Sequence, residues 1–536
     1  MLPTQLPKSP FGKVLLLLAV VVGLAWYLYG CKLMWPANPH WGEDGTKKTY
    51  DQVAYVNRAW TMAVGDGGDP TALARSRMPF YPFLMSLFYD EGRTEEAQFD
   101  IYKRLNIGLS ALALIGLGMV ATRRVGCALG WTITAITAFT VYLFKAVLVQ
   151  PEVTFYFLYL WLFLVMIRSL RDPKRKQMIL LGLLTGGVYF LKGSCLPMAG
   201  LYLLLLVFKS LTTAWKNRRA TVVSLTSCLK PLAAPLLFLL GFLLVTGVYL
   251  YRSYDYYGKA IYEPNTTYYF WADSDDEMFA MQDLEVSERK PEFNRRNISN
   301  PSLQYYLAEK WLPDPIRRAE LLKLVETQGR VTLEGEWDIL PTSKYWIRHH
   351  NFKDAVDRFW NGFFSEETGM IYRNATHRDG YFWYLIVFGS AALVGAGLMF
   401  VLKRAEFIFQ LKENAIALVF AMGTILGNFV LYAWWAQISS RNRFFLTQYM
   451  PLLVLMGIVI FWSLGRLSWE DLGWKSKAGL ISRMRRRLRL GKPLLVVFLV
   501  IVWSALVPDV VRVARLDKPF YKKNQDRTTA DVLLVQ

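Results

Sequence analysis

Cysteine is scarce. Four are present in 536 residues, Cys31, Cys127, Cys195 and Cys228, with no CxxC pair and no short regular spacing, so neither a disulfide framework nor a cysteine-held zinc site is indicated. Histidine is equally sparse. His40, His349, His350 and His377 form no HExxH or comparable spacing, which leaves a metal centre without support, and adjacent His349 and His350 read as a solvated helix face. Acidic residues are few beside basic ones, 42 against 62, for a formal charge of +20. A nucleic-acid binder would gather that charge on one folded face, whereas here it is divided among short loops between apolar runs. The chain also lacks internal repeats and low-complexity segments. Repeated halves with interrupted helices are what a secondary transporter or flippase of lipid-linked sugars would show, so that alternative gains nothing from the sequence.

What is abundant is apolar. With 54% hydrophobic and 15% aromatic residues and a mean hydropathy of +0.23, the natural solvent is a bilayer. Crossing a hydrocarbon core of about 30 Å takes roughly 20 mostly apolar residues. About eleven such runs are present, over 12–32, 102–121, 126–146, 152–167, 177–192, 194–208, 231–251, 381–402, 413–435, 448–465 and 493–510. The expected fold is an all-α polytopic membrane protein. The fifth and sixth runs are short and share the turn Lys192-Gly193-Ser194, which suggests a hairpin that barely crosses. The first run resembles a signal sequence, and Leu28-Tyr29-Gly30-Cys31 approximates a lipoprotein cleavage box, but bulky Tyr29 and the length of the run favour a retained anchor.

Lys and Arg beside spans are retained in the cytoplasm. Arg123-Arg124, the run Arg168 to Lys176, Lys216 to Arg219, Lys403-Arg404 and the cluster Arg483 to Arg489 all fall on one side, which predicts a cytoplasmic N-terminus in a multi-pass protein of the cytoplasmic (inner) membrane. The organisation expected is an N-terminal transmembrane module, 1–251, with a first outside loop, 33–101; an extracytoplasmic α-rich domain, 252–380; C-terminal spans, 381–510; and an extracytoplasmic tail, 511–536. The first loop holds two amphipathic stretches suited to the membrane surface, Thr49 to Val64 and Arg77 to Tyr89. In the second segment helices are expected near 302–327 and 343–364, with Trp346, Ala355, Phe359 and Phe363 on a packing face.

Candidate chemistry sits beside the spans. On a helix, Asp51, Tyr55 and Arg58 share a face at i, i+4 and i+7, and a carboxylate so flanked suits proton abstraction from a hydroxyl; helix capping is the rival explanation. Lys192 ends the fifth run, where it either meets an anion or snorkels to the interface. Glu152 opens the fourth run after Pro151, where it either orients a ligand or complements the helix dipole.

The order of these features resembles the GT-C superfamily of polytopic glycosyltransferases, particularly bacterial members related to protein O-mannosyltransferases and lipid A aminoarabinose transferase. Asp51 with Tyr55 matches the acidic residue and tyrosine of that family's first outside loop, and Met78-Pro79-Phe80-Tyr81-Pro82-Phe83-Leu84 looks like its PPLYPLL segment. Gln150-Pro151-Glu152 corresponds to its Pro-Glu pair, Gly182 to Lys192 (GLLTGGVYFLK) to its glycine-rich span ending in lysine, and Arg441 to Pro451 (RNRFFLTQYMP) to an Arg-Tyr run before a late span. The chain departs from the pattern at Gln52, where many members carry a second acidic residue, and at Met78, in place of the leading proline. The resemblance implies a GT-C-like bundle with juxtamembrane helices. It implies inverting transfer of a sugar from a polyprenyl-phosphate donor to a lipid, glycan or protein hydroxyl on the extracytoplasmic side, with no cofactor required and a divalent metal possible but unsupported. In that reading Asp51 is the general base, Lys192 with Arg58, Arg77 and Arg443 meets the donor phosphate, and Glu152, Tyr55 and Tyr81 shape the acceptor side. An O-antigen polymerase or ligase, reliant on late-loop arginines such as Arg441 and Arg443, is a further alternative.

Overall fold

Within hydrocarbon, backbone N–H and C=O groups must find partners inside the protein, and a helix supplies them from its own segment. The apolar runs are accordingly helical in the computed structural model, which describes residues 9–38, 50–65, 78–220, 232–257, 350–365, 381–436, 441–466 and 491–515 together with 260–261, 270, 292–294, 330–332 and 346. In chain order the helices are α1 (Pro10–Met34), α2 (Tyr50–Val64), α3 (Phe80–Ser86), α4 (Glu95–Val125), α5 (Cys127–Thr137), α6 (Glu152–Arg171), α7 (Arg175–Leu191) and α8 (Leu196–Ala220). There follow α9 (Ala233–Tyr257), α10 (Phe352–Phe364), α11 (Tyr381–Leu402), α12 (Arg404–Glu413), α13 (Ala415–Trp435), α14 (Arg441–Arg466) and α15 (Gly491–Arg515). Helix α5 runs on through a π-turn, Ala138–Tyr142, and a last turn, Leu143–Lys145.

Ten of the described helices are long and apolar enough to cross a membrane, so the chain is an all-α polytopic protein. The eleventh expected span is α7, whose 17 residues reach only about 25 Å at 1.5 Å per residue, short of that length. Its hairpin partner is longer than the sequence suggested, with an apolar stretch over Gly193–Trp215. The reason is Lys209. Its ammonium donates to the carbonyls of Leu170 and Arg171 at 2.5 and 2.8 Å, so a charge that read as a span boundary instead caps α6. In the segment expected to be α-rich, a short antiparallel pair also forms, β1 (Glu292–Asn294) with β2 (Arg330–Thr332). The helix expected near 302–327 lies outside the described residues, and the one expected near 343–364 is described from Phe352 onward as α10.

Side-chain pairs fix the helix directions. Tyr159 meets Asn428 while Phe163 stacks on Phe420, so α6 and α13 are antiparallel; Gly182 lies against Phe238 and Tyr189 against Tyr249, so α7 and α9 are parallel. Carried around the bundle, this alternation brings the ends of α1, α5, α7, α9, α13 and α15 to one end with the starts of α4, α6, α8, α11 and α14. This is the Glu152 end. The basic positions at 123–124, 168–176, 216–219 and 403–404 fall at the opposite end.

Candidate active site at the Glu152 end

Between Lys145 and Glu152 the chain leaves the helix while still buried, and its freed backbone groups need partners. Three amide side chains provide them. Asn106 donates to the carbonyls of Ala146 (3.1 Å) and Leu148 (2.6 Å), Asn38 donates to that of Val147 (2.8 Å), and Gln52 accepts from the Val149 N–H (2.6 Å). Asn38 and Gln52 also bond to each other reciprocally, Nδ2 to Oε1 and Nε2 to Oδ1, both at 2.9 Å. Lys103 closes the network by donating to the Asn38 carbonyl at 3.2 Å, beside Asp100 at 3.0 Å and over the Trp35 ring at 4.3 Å.

This explains the departure at position 52. The Asn38 carbonyl oxygen of the side chain needs a donor opposite it, which glutamine supplies and a glutamate would not. The same contacts hold the first turn of α2 against residues 147–149, three to five positions ahead of Glu152. Asp51 belongs to that turn by its backbone, and its side chain lies outside the described positions.

Glu152 occupies the first turn of α6 behind Pro151, where the positive end of the helix dipole favours a carboxylate. Lys192 is the C-cap of α7, where the negative end favours a cation. The two meet at 3.0 Å, with side-chain exposures of 6% and 18%, and the Lys192 ammonium lies 5.8 Å from the Phe155 ring centre. Each charge complements its helix end and each is also bonded to the other.

Tyr81 on α3 is fully buried beside this pair, edge-on to Tyr55 of α2 at 5.4 Å between ring centres. Its hydroxyl has no hydrogen-bond partner among the described residues. Burial, then the charge of Glu152, then Tyr55 push its pKa well above the usual phenol value, so it stands as a neutral donor. Arg58 is half-buried one turn beyond Tyr55. Arg443 lies in the first turn of α14, at this end of the bundle, with its side chain outside the described positions, and Arg77 lies outside the described residues altogether. Among the described residues no three His, Cys, Asp or Glu side chains gather as ion ligands.

No protein-family model matches the chain, and no curated protein matches it. Among solved structures, the apo oligosaccharyltransferase of Archaeoglobus fulgidus aligns over 99% of this chain at 14% identity and a TM-score of 0.44. This chain spans 60% of that protein's length. At that level of likeness no residue role passes from one protein to the other.

A polar seam that sequence reading missed continues below the pair along one face of α6, at i, i+3 and i+7 from Glu152. Phe155 packs on Tyr159 at 5.6 Å, and the Tyr159 hydroxyl accepts from Gln448 of α14 at 2.9 Å and from Asn428 of α13 at 3.4 Å. The available signal was an amide inside an apolar span, since such groups are costly in hydrocarbon unless bonded across helices.

Proposed function

We propose that this chain is a membrane glycosyltransferase that moves a sugar from a polyprenyl-phosphate donor to an acceptor hydroxyl at the Glu152 end, with inversion. The observation that carries the reading is the Lys192 and Glu152 pair, a partly buried cation at a helix end near a buried phenol whose hydroxyl has no partner among the described residues, at the same end as the first turn of α2. A polyprenyl donor cannot leave the bilayer, so its phosphate must be met at the boundary by groups fixed to span ends. Lys192 suits that role, with Arg58, Arg77 and Arg443 as further cations. Asp51 takes the acceptor proton as the acceptor oxygen bonds to the sugar's anomeric carbon. The bond from that carbon to the phosphate oxygen breaks, and polyprenyl phosphate leaves as an anion toward the cations. Glu152 holds Lys192 in place until the donor arrives, while Tyr55 and Tyr81 line the acceptor side. Because the basic loops sit at the other end, retention of Lys and Arg in the cytoplasm makes the Glu152 end extracytoplasmic in a cytoplasmic membrane.

The test uses the full chain in proteoliposomes with a radiolabelled polyprenyl-phosphate sugar. Asp51→Asn is expected to keep donor binding and lose roughly 10²- to 10⁴-fold in transfer, the usual worth of a general base. Undiminished transfer by that variant would remove Asp51 as the base, and movement of the lipid-linked sugar across the bilayer without covalent transfer would favour a flippase instead.

A further inference from the structure

Helix α10 has a face that the proposed chemistry does not use. Its start is fixed by a capping box: Asn351 Oδ1 accepts from the N–H groups of Lys353 (2.8 Å) and Asp354 (3.2 Å), and Asp354 accepts from the N–H of Asn351 (2.8 Å). From there the 13 residues present three sets of side chains at 100° per residue, the polar and apolar sets overlapping where Lys353 lies between Trp360 and Phe364.

One sector seats the helix on the last turn of α13. Gly362 comes so close that a Cβ there would collide with the carbonyl of Ala433. Arg358 donates to the Trp434 carbonyl at 3.0 Å and lies over its ring at 4.5 Å, and Phe359 packs on the same ring at 4.8 Å. A second sector, Lys353, Asp354, Asp357 and Asn361, is polar. The third carries Phe352, Val356, Trp360 and Phe364 at intervals of four, with exposures of 85%, 46%, 63% and 46%. Leaving such side chains in water is unfavourable, since apolar surface is driven out of it.

The seat identifies what covers them. Helix α13 is long and apolar enough to span, and its exposed side chains Val419, Met422, Leu426 and Val430 form an outward stripe that leads toward α10. It ends in Tyr432, Trp434 and Trp435, which are buried in a cluster with Trp346 on which Phe359 of α10 packs. Seated on that turn, with its apolar stripe turned about 130° from the seat and about 95° from the centre of its polar residues, α10 can lie in the interface plane with the stripe facing the bilayer. We propose that α10 lies in the headgroup region of the leaflet at the Glu152 end, with Phe352, Val356, Trp360 and Phe364 turned into the acyl chains. This inference does not depend on the glycosyltransferase reading.

The experiment uses the full chain in phosphatidylethanolamine and phosphatidylglycerol nanodiscs, with Cys127 and Cys228 changed to serine and a nitroxide attached in turn at Val356→Cys, Trp360→Cys and Asn361→Cys. Power-saturation spectroscopy compares collisions with oxygen, which partitions into lipid, and with a water-soluble nickel chelate. The ratio of oxygen to nickel collisions is expected to be severalfold higher at 356 and 360 than at 361. Equal ratios at all three would place the stripe in water, and exclusion of both reagents from 356 and 360 would place it under protein; either result overturns the proposal. Using two labelled positions on the stripe keeps the test intact if one substitution fails to fold.

Discussion

The pairing of Lys192 with Glu152 makes each residue's contribution depend on the other. Removing one partner of this largely buried pair takes the direct counter-charge from the other and costs up to about 3–5 kcal/mol. Glu152→Ala and Lys192→Ala should therefore each lower the unfolding temperature, and the double variant should lose less than the sum, with a coupling of about 1–3 kcal/mol in a double-mutant cycle. Tyr81 should behave differently. Its hydroxyl is buried without a partner, so Tyr81→Phe should leave stability unchanged or raise it, and any fall in transfer at unchanged melting temperature reports a contact with substrate. The sign of its pH effect follows from its raised pKa. The folded chain holds the phenol proton more tightly than the unfolded chain, so the contribution to stability is full below the ordinary value of about 10 and falls as pH rises beyond it. Tyr81→Phe should flatten that alkaline loss in a series of melts. At Gln52, replacement by glutamate removes the donor to Asn38 and sets a carboxylate against its oxygen, with an expected loss of about 1–3 kcal/mol by thermal unfolding. Glu152, Lys192 and Tyr81 were legible in the sequence because each stands at a span end or in a short motif. Asn38, Lys103 and Asn106 were not, because the backbone carbonyls they bond lie 40 to 109 positions away in the chain and no local pattern announces them.

At the scale of elements, the glycine-rich run in α7 has a packing cause. A Cβ at Gly182 would collide with the backbone of Phe238 and Phe242 on α9, one at Gly186 would crowd Val245, and one at Gly241 would collide with Ile179 on α7. Small residues four apart let two spans approach closely, which is how helices associate where lipid removes the hydrophobic drive. Gly187 faces open space. Gly182→Val should therefore separate α7 from α9, lower the melting temperature in detergent and displace Lys192, whereas Gly187→Val should be nearly neutral in the same melts. The spans themselves were legible because hydropathy is a property of single segments. The ends of the fifth and sixth were not, because Lys209 bonds to carbonyls of another helix. The π-turn at Ala138–Tyr142 was equally hidden; Tyr142, its last residue, donates its hydroxyl to the Val153 carbonyl at 2.6 Å across a break in the chain's helices.

For the whole molecule, alternation of span direction gathers the Lys192 and Glu152 pair, the seat of α10 and the first turns of α2 and α14 at one end. That polarity was legible from the distribution of Lys and Arg, which depends only on the order of loops. Which side chains converge there was not, because it requires the three-dimensional packing of helices α2, α3, α6 and α7. The most direct measurement is a structure of the full chain with a polyprenyl phosphate bound in a lipid nanodisc. We predict the phosphate within about 3 Å of the Lys192 ammonium, in hydrogen-bond reach and beside Tyr81. A phosphate held at the opposite end, with Lys192 still bonded to Glu152, would contradict the proposed site.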